Sequence, residues 1–114
     1  MIKFLKSLFG INSNTNNNIK VLDVQTFKKA VTNKKVQLID VRTANEYNAG
    51  CIKKAKNIDV FSGKFTSEVN KLDKEKPVYV YCRSGGRSKR ATKKIVDLGF
   101  KEIYDLKGGI LNYN

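Results

Sequence analysis

Residues 78–88 read V-Y-V-Y-C-R-S-G-G-R-S. Val78 to Tyr81 is an unbroken run of β-branched and aromatic residues and is the clearest strand in the chain. Ser88 to Leu98 is the clearest helix, with Ala91, Ile95 and Leu98 on one face and Gly99 as its stop. Between them lies a short loop, Cys82 to Ser88. A strand that feeds a helix through such a loop is the unit from which parallel α/β sheets are built.

The flanking sequence repeats that alternation. Asp23 is placed to cap a helix over Val24 to Thr32, with Phe27, Ala30 and Val31 on one face. Val36 to Val41 reads as a short apolar strand. Thr43-Ala44-Asn45-Glu46 fits a capping box, so a short helix runs to Ala49 and Gly50 ends it. Ala55 to Val60 is expected to hold another strand. A helix begins at Thr66 or Ser67 and ends near Leu72, with Pro77 beyond it. Ile103 to Leu106 is the last strand, before Gly108-Gly109. The expected fold is therefore an α/β domain with a small, mostly parallel sheet flanked by helices. In such sheets the functional crevice lies at the carboxyl ends of the strands, which directs attention to the residues just after Tyr81.

The first ten residues, M-I-K-F-L-K-S-L-F-G, read as an amphipathic turn or two, and Asn12 to Asn18 as a polar linker. The chain is accordingly divided into an N-terminal segment over 1–18 and one domain over 19–114. No stretch approaches the roughly 20 apolar residues of a membrane span, and no secretory pattern precedes the domain. A cytoplasmic, monomeric protein is expected.

Composition narrows the chemistry. With 23 Lys and Arg against 10 Asp and Glu the formal charge is +13, and 19 of the cations are lysine. An anionic partner is compatible with that charge. Specific nucleic-acid binding is not expected, because no aromatic-interleaved basic motif, helix-turn-helix or zinc module is present. There is no histidine, which excludes a His general base, a Cys-His or Ser-His-Asp nucleophile and any His-containing metal site. Two cysteines, Cys51 and Cys82, make neither a zinc site nor a disulfide framework. No metal and no cofactor is called for.

The loop after Tyr81 has the composition of an anion cradle. Gly85 and Gly86 permit backbone conformations that let successive N–H groups converge. The helix that follows adds its positive end, and Arg83 and Arg87 add fixed charge. The nearest anion is the Cys82 sulfur itself. Thiolate is the nucleophilic form of cysteine, and helix N-termini and neighbouring cations favour it without a general base. Arg87, Lys89 and Arg90 crowd a helix start, where each cation costs about 0.3–1 kcal/mol. Such a breach of local preference is expected where an anion must be held.

On these residues the chain resembles the rhodanese (thiosulfate sulfurtransferase) family, single-domain type, over about Ile19 to Tyr113. Three further blocks carry the resemblance: L-I-D-V-R at Leu38 to Arg42 with E-Y-N-A-G at Glu46 to Gly50, A-K-N-I at Ala55 to Ile58, and L-K-G-G-I at Leu106 to Ile110. The resemblance implies a rhodanese-like domain in which Cys82 is the catalytic nucleophile. It takes a sulfane sulfur from thiosulfate or a related anionic donor, becomes a persulfide, and passes the outer sulfur to cyanide or a thiol, or to a sulfur-accepting protein. Arg83, Ser84, Gly85, Gly86, Arg87 and Ser88 would bind the substrate, their backbone N–H groups stabilising thiolate and persulfide. Ping-pong kinetics follow from this two-step scheme. A persulfide carrier with little turnover is an alternative. A Cys-based phosphatase or arsenate reductase is less favoured, since those enzymes use C-x5-R whereas Cys82 to Arg87 is C-x4-R.

The chain also departs from the family pattern. Cys51 stands where the family has histidine and is expected to be a small, partly buried substitute. Lys53 and Lys54 replace a typical proline and glycine, and Tyr113 stands near a usual tryptophan. A short final helix is expected. Asp40, Arg42 and Glu46 are read as a structural ion-pair network, two carboxylates around one arginine.

Overall fold

The computed structural model describes residues 18–32 and 34–113. The chain forms β1 (Ile19–Leu22), α1 (Val24–Thr32), β2 (Gln37–Asp40), α2 (Ala44–Ala49), β3 (Lys56–Asn57), α3 (Phe65–Val69), β4 (Val78–Tyr81), α4 (Gly86–Asp97) and β5 (Ile103–Leu106), then a 3-10 turn at Ile110–Asn112. The five strands form one sheet in the order β1-β5-β4-β2-β3, and every pairing is parallel. Apart from Asn18, the N-terminal segment read over 1–18 lies outside the described residues. Among the described residues no helix is long and apolar enough to cross a membrane.

Alternation along the strands fills two cores, one on each face of the sheet. Ile39, Val78, Val80 and Ile103 point to one face, where Phe65, Val69, Ala91, Ile95 and Phe100 cover them. Leu38, Tyr81 and Leu106 point to the other, beneath Phe27 and Val31 of α1. Phe27 and Val31 stand four apart on α1, whose first turn is capped by Asp23 through the Thr26 N–H at 2.8 Å. Cys82 continues the Val78–Val80 set and is 1% exposed. It therefore lies on the α4 side, at the carboxyl end of the central strand.

Several boundaries differ from the sequence reading for identifiable reasons. β1 was not expected. Four residues, I-K-V-L, directly behind an Asn-rich run carry too little periodicity to signal a strand, and its pairing with β5 makes it. The strand expected over Ala55 to Val60 shrinks to Lys56–Asn57. Ile58 and Val60 are buried, but their N–H groups bond the Asp40 and Val41 carbonyls at 2.9 and 3.1 Å as the chain bends over the end of β2. The apolar spacing there records core contact, not a ladder. α3 starts at Phe65 and ends at Val69, earlier at both ends than expected, because Phe65 and Val69 are the residues that it buries. α4 starts at Gly86, two residues before Ser88, and ends at Asp97.

The capping box of α2 is formed as the sequence implied. Thr43 Oγ1 accepts the Glu46 N–H at 3.2 Å and Glu46 Oε1 accepts the Thr43 N–H at 3.1 Å. The expected network of two carboxylates around Arg42 is not. Arg42 grips Asp40 alone, Nε to Oδ1 at 3.0 Å and Nη2 to Oδ2 at 2.7 Å. The Tyr81 hydroxyl donates to Asp40 Oδ2 at 2.8 Å and accepts the Ile52 N–H at 3.0 Å, while Arg42 Nη2 also donates to the Gly50 carbonyl. This satisfied, buried set pins the 50–52 loop to the ends of β2 and β4, one residue from Cys82. Glu46 goes elsewhere, as described next. Cys51 is exposed, not partly buried as expected. Beyond Gly50, the backbone hydrogen bonds to Tyr81 and Arg42 fix the loop without any burial of that side chain.

Candidate active site

Cys82 is placed by two neighbours in the chain. Before it, β4 runs through the middle of the sheet, between β2 and β5. After it, Gly85 takes φ 116°, a conformation that L side chains rarely adopt, and serves as the N-cap of α4. This turn brings the Gly85 N–H to Cys82 Sγ at 3.0 Å. The sulfur thus lies at the positive end of a 12-residue helix, with an N–H aimed at it. Gly86 has an ordinary helical backbone, and a Cβ there would meet nothing within 4 Å. The structure therefore does not call for the backbone freedom read for Gly86 from the sequence.

Of the other loop residues, Ser88 is fully buried and donates Oγ to the Gly85 carbonyl at 3.1 Å, bracing the turn. Arg83 and Ser84 are exposed. Arg87 is half-buried and bidentate to Glu46, Nη1 to Oε1 at 2.6 Å and Nη2 to Oε2 at 2.9 Å. That fork, aided by the Thr43 N–H and hydroxyl, pulls the Glu46 carboxyl down to about 2. The Arg87 guanidinium is in turn held above its ordinary value by Glu46, with the Cys82 sulfur and Asp59 as weaker contributors. The two arginines read together from the sequence therefore differ. Arg87 is fixed in place by Glu46, whereas Arg83 makes no salt bridge among the described residues.

Two contacts at the site differ from the sequence reading or go beyond it. Glu46 was grouped with Arg42, yet its partner lies 41 residues away on α4. The capping box fixes its direction, and that was the one available clue. The second is the stretch after β5. Ile110 donates its N–H to the Cys82 carbonyl at 2.9 Å and Leu111 to the Arg83 carbonyl at 3.2 Å. Gly109, at φ 69°, lets this backbone approach so closely that a Cβ would overlap the Arg83 carbonyl. The L-K-G-G-I block is thus a clamp on the loop from behind, and the second glycine of the pair is the one that the contact requires. Beneath α4, Asp105 is 2% exposed with Oδ1 unpartnered, and burial pushes its carboxyl above the usual range. Among the described residues no three His, Cys, Asp or Glu side chains cluster to hold a metal ion.

A buried sulfur at a helix start, backed by a glycine-rich turn and a fixed arginine, can hold negative charge and act as a nucleophile. The chain is similar to known proteins. Residues 23–114 match the rhodanese-like domain family. The chain is 39% identical over 93 residues to the tRNA uridine(34) hydroxylase of Pelagibacter ubique, covering 81% of this chain and 31% of that protein. It is 35% identical over 88 residues to the adenylyltransferase and sulfurtransferase UBA4 of Meyerozyma guilliermondii, covering 71% of this chain and 20% of that protein. It thus spans a third or less of either relative. A rhodanese-like domain protein from Staphylococcus aureus superposes with a TM-score of 0.73 at 27% identity, over 83% of this chain and 91% of that one. The chain belongs to the rhodanese-like domain family.

Proposed function

We propose that this domain is a sulfurtransferase in which Cys82 carries the sulfur. The observation that carries the reading is the 3.0 Å contact between the Gly85 N–H and a buried Cys82 Sγ at the start of α4. The relative named as a sulfurtransferase agrees with it, and the tRNA uridine hydroxylases share the domain within longer chains. In the first step the Cys82 thiolate attacks the outer sulfur of thiosulfate or a similar donor. A Cys82–S bond forms, the donor S–S bond breaks, and sulfite leaves with the bonding pair. In the second step cyanide or a thiolate attacks the outer sulfur of the persulfide, and Cys82 leaves as thiolate. Both steps conserve charge and need no base, which suits a chain without histidine.

Arg83, exposed in the loop, attracts the anionic donor, while Arg87, held by Glu46, keeps a fixed positive charge at the start of α4 throughout the cycle. The N–H groups of the loop and first helical turn take up the outer sulfur of the persulfide. The C-x4-R spacing gives a turn fitted to a sulfur atom and disfavours phosphoryl chemistry.

The test is intact mass after incubation of the reduced protein with thiosulfate, then with cyanide. One added sulfur, removed by cyanide and absent in Cys82→Ser, is the expected result. No added sulfur on the parent protein from thiosulfate, in the absence of reductant, overturns the thiosulfate activity. Stable loading with negligible turnover shifts the reading to a persulfide carrier.

A further inference from the structure

Four arginines occur in a chain that uses lysine 19 times. Arginine is the side chain lysine cannot replace where a carboxylate is gripped by two N–H groups. Two of the four do this inside the domain, Arg42 on Asp40 and Arg87 on Glu46. The other two, Arg83 and Arg90, are exposed and form no salt bridge among the described residues. Arg83 directly follows Cys82 in the chain, and Arg90 stands on α4, one helical turn beyond Arg87.

An exposed apolar residue accompanies each, through a side-chain contact at Arg90 and a backbone contact at Arg83. The Arg90 guanidinium lies over the Phe61 ring, 5.6 Å from its centroid, and Phe61 is 62% exposed. Leu111, 57% exposed, bonds the Arg83 carbonyl through its N–H. Both are held on fixed turns. Asp59 Oδ1 accepts the Phe61 N–H at 2.9 Å, and Leu111 belongs to the 3-10 turn. Little ordering is left to be lost when a partner covers them.

We propose that Arg83, Arg90, Phe61 and Leu111 rim a docking surface for an acidic polypeptide segment, which presents a cysteine thiol to Cys82. Acidic chemistry follows from the two unoccupied forks and from Lys89, Lys93 and Lys94, exposed on α4 without a salt bridge. A polypeptide is favoured over a nucleic acid by the apolar pair. Leu111 offers no ring for a base to stack on, and Arg90 already covers one face of Phe61. The identity of the thiol as acceptor rests on the sulfurtransferase reading above. The partner thiolate attacks the outer sulfur of the Cys82 persulfide, the bond to Cys82 breaks, and the partner leaves as a persulfide with no other reactant consumed.

The experiment separates docking from sulfur transfer. A short fluorescent peptide with Asp, Glu and Leu around a serine is titrated with the full chain by anisotropy, beside a Lys-for-acid peptide and a single-stranded oligouridine RNA. The acidic peptide is expected to bind and to weaken as salt rises. Arg83→Glu with Arg90→Glu should lower its affinity by roughly tenfold or more, and the milder Arg83→Gln with Arg90→Gln by several-fold. Lys35→Glu with Lys76→Glu, the same charge change at the opposite end of the sheet, should cost less than about twofold. Equal losses from the two Glu pairs, equal binding of the basic peptide, or tighter rim-dependent binding of the RNA overturns the proposal. Repeating the titration with cysteine for serine and following sulfur by mass then tests transfer alone. Binding without transfer retains the surface and removes the acceptor role.

Discussion

Asp40 and Glu46 are each gripped by an arginine through both carboxylate oxygens, yet the pairs do different work. Asp40 and Arg42 close a local loop within one strand end, and their side chains are 0% and 7% exposed. Glu46 and Arg87 join α2 to α4, at 27% and 24% exposure. The buried pair also holds Tyr81 and the Gly50 carbonyl, so every strong acceptor near Arg42 has a partner. The half-exposed pair ties the start of α4 to α2 and keeps contact with water. One ion pair sets the end of the sheet, and the other fixes a cation at the start of α4. What separates them is desolvation, which makes a buried pair costly to break and leaves a surface pair energetically modest.

The largest effect should therefore come from the buried pair. Arg42→Met leaves the Asp40 carboxylate buried without its counter-ion, at a cost of about 3–5 kcal/mol. For a domain of this size the thermal midpoint should fall by more than about 12 °C. Circular dichroism melts check this, and a fall of only a few degrees would mean that Tyr81 alone satisfies Asp40. Arg87→Met should behave in the opposite manner. Its stability loss should be about 1 kcal/mol, since Glu46 keeps water and the Thr43 cap. Its rate of sulfur loading from thiosulfate should drop on the order of tenfold or more. Equal loading rates for the parent and Arg87→Met would break the assignment of Arg87 to the site.

How far the sequence carried this distinction is instructive. The loop was legible because strand, glycine turn and helix are local patterns, and V-Y-V-Y-C-R-S-G-G-R-S holds all three in one run. Periodicity likewise located α1, β2, β4 and β5 to within a residue or so. The pairing of charges was not legible. Asp40, Arg42 and Glu46 lie within seven residues and look like one cluster, but strand alternation and the capping box send Glu46 away from Arg42. Its true partner is distant in sequence, and no local signal encodes that contact. β1 and the clamp after β5 were hidden for the same reason. Both are defined by what they touch: β1 by its pairing with β5, and Gly109 by the Arg83 carbonyl. Cys51 shows the converse error, since a position inherited as buried from a family pattern is exposed in this chain.

Acid pH offers a finer division. The Glu46 carboxyl lies at about 2 when folded, below its ordinary value of 4.5. A depressed carboxyl contributes stability that is complete above its unfolded value and is lost as pH falls through the folded one. Glu46→Gln should therefore cost about 1 kcal/mol at pH 7, a figure reduced for solvent screening at this half-exposed pair. The difference from the parent should shrink between pH 4.5 and about 2. Urea unfolding across that range checks it, and a difference independent of pH would assign the loss to the cap geometry instead of the ion pair.

Asp105 completes the comparison as a buried carboxylate with no arginine. It lies on β5 beside Val80 of the central strand, and one oxygen finds no donor. Burial raises its carboxyl, while Ser88 and Lys89 at the start of α4 oppose the rise more weakly. The sign is the reverse of Glu46. A raised carboxyl favours the folded state most below its unfolded value and becomes a cost as pH climbs past it. Asp105→Asn should thus gain stability at pH 7 by less than about 1 kcal/mol, and the gain should disappear at strongly acid pH. Loss of stability at pH 7 would mean that the carboxylate is ionised and held by the helix start. In that case Asp105 would act with Arg87 in setting the charge around Cys82, and the contrast between the paired and unpaired carboxylates would fail.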